Sequence, residues 1–157
     1  PLMNSSENNK IKFSLYSKSA EYAIQAMIYL SEHPSDKPIM ISQIADAYNI
    51  PYQFLAKIMQ SLVKHRLIVA KRGRSGGVNL GREPKEIYLS EIITMVDGPS
   101  PKDEICVIGL DLCSDYAPCP LHHQWEPIRS AIRGMLSEEN LEELARRITE
   151  KRKAMKK

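Results

Sequence analysis

No apolar run in this sequence approaches 18 residues, so no membrane-spanning helix is expected. The first nine residues, Pro1 to Asn9, are polar and hold no apolar signal core, which argues against secretion and for a cytoplasmic protein. There are three cysteines, an odd number that excludes a closed set of internal disulfides. The one glycine-rich stretch lacks a Gly-Lys-Ser/Thr ending and is followed by a short β-like run, so it is not a phosphate-binding P-loop. No acid–base pair supports an enzyme, and no internal repeat or low-complexity tract is visible.

Net charge is also small, at +3 from 22 Lys+Arg and 19 Asp+Glu, but the charges are segregated. Residues 64–85 hold seven basic side chains (Lys64, Arg66, Lys71, Arg72, Arg74, Arg82, Lys85) against Glu83. Residues 99–145 reverse the sign, with three basic and nine acidic side chains, and the last twelve residues carry seven basic ones against Glu150. A basic patch beside a glycine-rich turn reads as a phosphate-facing surface. The plainer reading is a solvated loop with a cation excess at a helix end.

What is present suits one domain. At 157 residues with 43% hydrophobic and 26% charged, the chain has enough apolar material for one core. Residues 1–12 have nothing to bury and are expected to be a disordered extension. Helical spacing starts near Ser17, where Tyr22, Ala23, Ala26, Met27 and Leu30 recur three or four apart, and it should stop before Pro34. Ser42 is the expected N-cap of a short helix over 43–48, with Ile44, Ala45 and Ala47 inward. After Asn49-Ile50-Pro51, a third helix has Pro51 in its first turn and Phe54, Leu55, Ile58, Met59 and Leu62 as its apolar stripe. Two such helices joined by a tight turn suggest a helix-turn-helix. Leu67-Ile68-Val69-Ala70 and Val78-Asn79-Leu80 flank Lys71-Arg72-Gly73-Arg74-Ser75-Gly76-Gly77, a hairpin of the kind called a wing. Its glycines permit positive φ at the tip and close approach to a sugar–phosphate backbone.

Beyond the hairpin, Ser90 is the expected cap of a helix over 91–96 that ends at Gly98-Pro99. A long helix follows Pro120, with Leu121, Trp125, Ile128, Ile132 and Met135 or Leu136 at near-heptad spacing, which suits packing along another helix. Burial against its own domain is the competing reading. Ser137 with Asn140 starts a last helix over 138–152, with Leu141, Leu144, Ala145 and Ile148 inward.

The cysteines are spaced Cys106-x6-Cys113-x5-Cys119, followed by Pro120-Leu121-His122-His123. Three thiols this close in sequence converge on one centre without a long loop closure. In a reducing compartment such clustering favours metal or redox chemistry over a disulfide. The spacing is wider than the two-residue knuckles of common zinc modules, and iron–sulfur clusters take thiolates while accepting histidine. An iron–sulfur cluster, zinc and unrelated buried cysteines are the three readings, in that order. A fourth ligand must be sought among His122, His123 and carboxylates.

Several strings together resemble the dimeric iron–sulfur regulators of the IscR and NsrR kind. They are Tyr22-Ala23-Ile24, Ile44-Ala45, Pro51-x-x-Phe54-Leu55-x-Lys57-Ile58, Arg72-Gly73-x-x-Gly76-Gly77-Val78-x-Leu80 and the cysteine triplet, spanning about Leu15 to Ile132. The resemblance implies a mainly α fold with a small β-hairpin: a winged helix-turn-helix DNA-binding domain over 13–98, a cysteine-bearing cluster loop over 99–119, and a long dimerisation helix with a C-terminal helix over 120–157. It implies a homodimeric transcription factor, read here as a repressor, that binds double-stranded palindromic operators. Cys106, Cys113 and Cys119 match the family's cluster ligands, with [2Fe–2S] favoured over [4Fe–4S]. The fourth ligand is His122 in one branch of the family. In the other it is an acidic residue on the partner subunit's first helix, at the position of Glu21 here; His122 is slightly preferred. The first cysteine gap, six residues against five in many members, departs from the pattern.

The expected base and phosphate contacts are Pro51, Tyr52, Gln53 and Lys57 on the third helix and Arg72, Arg74, Ser75 and Gly76 on the wing. The cluster is expected to sense redox state, nitric oxide or iron–sulfur status. The alternative is a zinc-stabilised winged-helix protein whose DNA binding is ungated.

Overall fold

The computed structural model describes residues 14–99, 106–110 and 114–157. The expected disordered extension, residues 1–12, lies outside them. Ser17 opens helix α1 (Lys18–Glu32), its hydroxyl oxygen accepting from the Ala20 amide at 3.0 Å. Ala20, Ala23, Ile24, Ala26, Met27, Ile28 and Leu30 are all buried, too many positions for one narrow stripe. Accordingly α1 runs through the core, with the other helices of the body packed around it.

Helix α2 (Ile41–Tyr48) starts earlier than its sequence suggests. The Gln43 side chain accepts from the Met40 amide at 3.1 Å, so Ser42 sits inside the first turn rather than capping it. Ile44 and Ala45 are buried as expected, but Ala47 is exposed. Asn49, at φ 53, ends the helix in the left-handed region that asparagine tolerates. Pro51 then precedes helix α3 (Tyr52–Lys64) as its cap instead of entering its first turn. Leu55, Ile58, Met59 and Leu62 form the buried stripe. Phe54, expected within it, is 63% exposed. At about 100° per residue it falls on the margin of that stripe, where the core has already ended.

The wing is an antiparallel pair, β1 (Ile68–Lys71) and β2 (Gly77–Leu80), in register Ile68 with Leu80 and Lys71 with Gly77. Ile39 adds a bridge to Val78 through reciprocal backbone bonds of 2.9 and 2.8 Å. The Asn79 amide donates to the carbonyls of Ser35 (2.9 Å) and Lys37 (3.2 Å), holding the hairpin against the turn after α1.

A short 3₁₀ turn (Pro84–Glu86) leads into helix α4 (Leu89–Asp97). Ser90 is inside that helix rather than at its cap, because the capping is done from afar. The Leu89 amide donates to the Glu139 carbonyl at 3.0 Å, and the Leu141 amide to the Ile87 carbonyl at 2.8 Å. Helix α5 (His122–Glu138) runs on through Ser137 and Glu138, which the sequence assigns to the start of the next helix. Asn140 is the true cap of α6 (Leu141–Met155), its side chain accepting from the Glu143 amide at 2.9 Å. Leu141 and Ala145 are buried, with Leu144 and Ile148 packed at the core's edge, so α6 returns to lie along α1. Arg152 on α6 reaches Glu32 at 2.7 Å and the Tyr48 hydroxyl at 2.9 Å, tying together α6, α1 and α2. Six helices and one hairpin among the described residues match the mainly α winged-helix fold. Among the described residues, no helix is long and apolar enough to cross a membrane.

Candidate nucleic-acid interface and cysteine site

The outward face of α3 follows from its inward one. With Leu55, Ile58, Met59 and Leu62 held in the core, Gln53, Lys57, Gln60 and Lys64 fall opposite them at helical spacing, and all four are exposed. Pro51, Tyr52 and Gln53 are exposed at the start of the helix. No acidic side chain occurs anywhere on α3. Gln60 was not singled out from the sequence; only the position of the buried stripe reveals that it shares the face of Lys57.

At the wing, Arg72, Arg74 and Ser75 are exposed and Gly76 is half-buried. The glycines earn their places differently from the sequence reading. Gly73 takes φ +105 at the tip with open space around it, as expected there. Gly76 and Gly77 are demanded by the chain's own backbone: a Cβ on Gly76 would strike the carbonyl oxygen of Lys71, and one on Gly77 that of Ile39. These close approaches lie within the wing at Gly76 and between wing and body at Gly77.

One member of the basic patch drops out. Arg82 donates to both Glu91 carboxylate oxygens, at 2.5 and 3.0 Å, and to the Glu86 carbonyl at 2.6 Å. The hydrogen bond to Glu91, with its negative charge, holds the guanidinium pKa above its ordinary value. Its charge is satisfied internally and braces the 3₁₀ turn against α4. Arg146, Arg147 and Arg152, which make the C-terminal segment look basic, are likewise paired with Glu143, Glu150, Glu139 and Glu32.

The cysteine region lies where α5 begins. Cys106 is buried, Cys119 is half-buried, and Cys113 lies outside the described residues. His122, in the first turn of α5, is 3% exposed, and its amide donates to the Cys119 carbonyl at 3.0 Å. Its Nε2 lies 2.7 Å from Asp115 Oδ1; beside a carboxylate, Nε2 carries the proton. A metal-binding histidine is commonly oriented through its second nitrogen in this way. Cys119 lies two residues before Leu121, the N-cap of α5. Along the same face of α5, Trp125 Nε1 and Arg129 Nε and Nη1 are buried without an acceptor among the described residues. Thiols, an imidazole and nearby unsatisfied N–H donors suit an anionic, thiolate-bound cluster. Among the described residues, however, no three of His, Cys, Asp and Glu stand together as a metal-binding group.

Glu21, the other candidate ligand, is half-exposed in the first turn of α1 and paired with Lys18 at 2.8 Å. Lys18 is held above its ordinary pKa mainly by this bond, and Tyr16 is raised by burial and by the Glu21 charge. His123 stacks edge-on against His122, with ring centroids 5.5 Å apart.

A turn-linked α2–α3 pair followed by a basic hairpin defines a winged-helix DNA-binding protein. The chain belongs to the Rrf2 family, described as iron-dependent transcriptional regulators, which matches residues 16–147. An HTH-type transcriptional regulator of Aquifex aeolicus is 33% identical over 132 residues, covering 83% of this chain and 90% of its own. The regulator IscR of Photorhabdus laumondii is 31% identical over 123 residues, covering 78% and 74%. Among solved structures, CymR, the global cysteine regulator of B. subtilis, superposes with a TM-score of 0.70 at 28% identity, over 85% of this chain and 97% of CymR. The protein is thus a DNA-binding transcriptional regulator of a non-enzymatic family.

Proposed function

We propose that the protein is a homodimeric repressor acting in the cytoplasm, whose hold on a palindromic operator is gated by an iron–sulfur cluster. In this reading residues 13–98 bind DNA, 99–119 carry the cluster, and 120–157 hold the dimerisation helix α5 and the C-terminal helix α6. Gln53 and Lys57 of α3, with Pro51 and Tyr52 at its start, enter the major groove. Arg72, Arg74, Ser75 and Gly76 of the wing meet the backbone or minor groove.

The observation that carries the reading is the pairing of two features on one helix. α5 buries only His122, beside Cys119, while Leu121, Ile128 and Met135 are 40%, 51% and 49% exposed at seven-residue spacing. An apolar stripe of that period is the seam of a paired helix. The ligand-bearing end and the dimer seam then belong to one helix, with Pro127 between them, so a change at the first is carried along α5 to the spacing of the two recognition helices. Cys106, Cys113, Cys119 and His122 would hold a cluster, [2Fe–2S] by preference, with Glu21 of the partner subunit as the other candidate for the fourth position. When bound, the cluster supplies sensitivity to oxidant, nitric oxide or iron supply. The chain's own part is the burial of His122 and its orientation by Asp115.

Anaerobic purification tests this directly. Brown protein with iron and acid-labile sulfide, and holo and apo forms differing in operator affinity, are the expected results. Equal affinities would remove the gating, and colourless protein with stoichiometric zinc would replace the cluster by a structural metal.

A further inference from the structure

Phe54 is the one large apolar side chain that α3 leaves mostly in solvent in its first turn apart from Tyr52, and it is the more exposed of the two, at 63% against 54%. Exposing a phenyl ring forfeits burial that the core, one position away at Leu55, would supply. It adjoins Gln53 on a helix with no acidic side chain, and Lys57 is three residues on, so the helix suits a polyanion-facing surface. Gln53 and Phe54 lie about 1.5 Å apart along the helix axis and about 100° apart around it, so at the start of a helix seated in the groove they reach adjacent bases rather than one atom set. In the major groove an A·T pair offers two features. The adenine N6/N7 edge suits a glutamine amide, and the thymine 5-methyl suits an apolar contact.

We propose that Phe54 is a specificity-determining residue that packs on thymine 5-methyl groups in the operator half-site, beside Gln53. This rests on the reading of α3 as the major-groove helix and adds a base preference to it: A·T pairs at the position facing the start of α3. The contact is apolar, so it contributes discrimination without adding to the salt dependence that the lysines and arginines create.

The test uses the full-length protein and a 30-base-pair duplex selected by it from a random library. Each thymine is then replaced singly by deoxyuridine, which removes only the methyl group. The expected result is one or two positions per half-site at which deoxyuridine weakens wild-type binding by a factor of about 4, the worth of one buried methyl group. With Phe54→Ala the thymine and deoxyuridine duplexes should bind equally, with an unchanged salt slope, and Phe54→Leu should restore part of the preference. Circular dichroism and thermal melting confirm that the variants fold. Wild-type binding that ignores every deoxyuridine overturns the inference while leaving the α3 reading intact. So does a preference that survives in Phe54→Ala. A library from which no duplex is enriched overturns both.

Discussion

Gly77 sits where the wing touches the body, at φ +154 with the Ile39 carbonyl occupying the space a side chain would need. Gly73, at φ +105 on the tip, has open space around it. The two glycines therefore predict different costs. Gly77→Ala should lower stability by about 3 kcal/mol, from backbone strain plus loss of the Ile39–Val78 bridge, whereas Gly73→Ala should cost only about 1 kcal/mol. Urea unfolding of the two variants measures the difference. The arginines divide in the same manner. Replacing Arg72 and Arg74 by alanine should weaken duplex binding and reduce the slope of log affinity against log salt by about 2. Arg82→Ala should leave that slope unchanged, because Glu91 already neutralises it. Salt titrations of both variants decide whether Arg82 belongs to the interface. From the sequence all three arginines look alike; the ion pair that removes Arg82 spans nine residues and depends on how the 3₁₀ turn meets α4.

At the scale of elements, α5 is the exception. Among the described residues, the other five helices bury apolar side chains in the core, while α5 fully buries only His122. Its heptad spacing was legible in the sequence, but whether that stripe faced the body or a second copy was not, since periodicity defines a face and not its partner. Leu121, Ile128 and Met135 are exposed while Trp125, Ile132 and Leu136 are half-buried, so the chain itself covers only part of the stripe. Ile128→Glu with Met135→Glu should convert a dimer to monomer in sedimentation, with helix content retained, and should weaken operator binding by at least 10²-fold through loss of the second half-site. A dimer that survives both carboxylates would exclude α5 as the seam. Helix starts were the least legible elements. Ser42 and Ser90 are good caps by residue type, yet Gln43 and the Glu139 carbonyl supply the bonds instead. Local chemistry offers several caps, and contacts elsewhere choose among them.

Over the whole molecule, α6 closes the fold by returning to α1. Leu141 is fully buried and its amide bonds to Ile87, so the C-terminal helix stabilises the entrance to α4 as well as its own packing. Leu141→Ala should cost about 2–5 kcal/mol. Tertiary fluorescence and helical circular dichroism should melt together at a lower Tm, as expected if α6 and the winged helix form one cooperative unit. Separate transitions would show that α6 docks independently. The same closure sets the electrostatics of the chain. Arg146, Arg147 and Arg152 are matched to acids on α1, on α6 and at Glu139 between α5 and α6, while α3 and the wing carry no acid of their own.

By itself, the sequence determined the helix periods, the wing with its glycines, the clustered cysteines and the family to which the chain belongs. These are local patterns, set by spacing along the chain and by backbone freedom. Only the tertiary structure decided which surfaces remain outside. It turned Phe54 out of the core and Arg82 into an internal brace. It buried His122 against Asp115, and it left Leu121, Ile128 and Met135 along α5 exposed. Each of these depends on contacts between residues far apart in sequence or on the angular limit of a packed face, and neither quantity is written in any short stretch of residues.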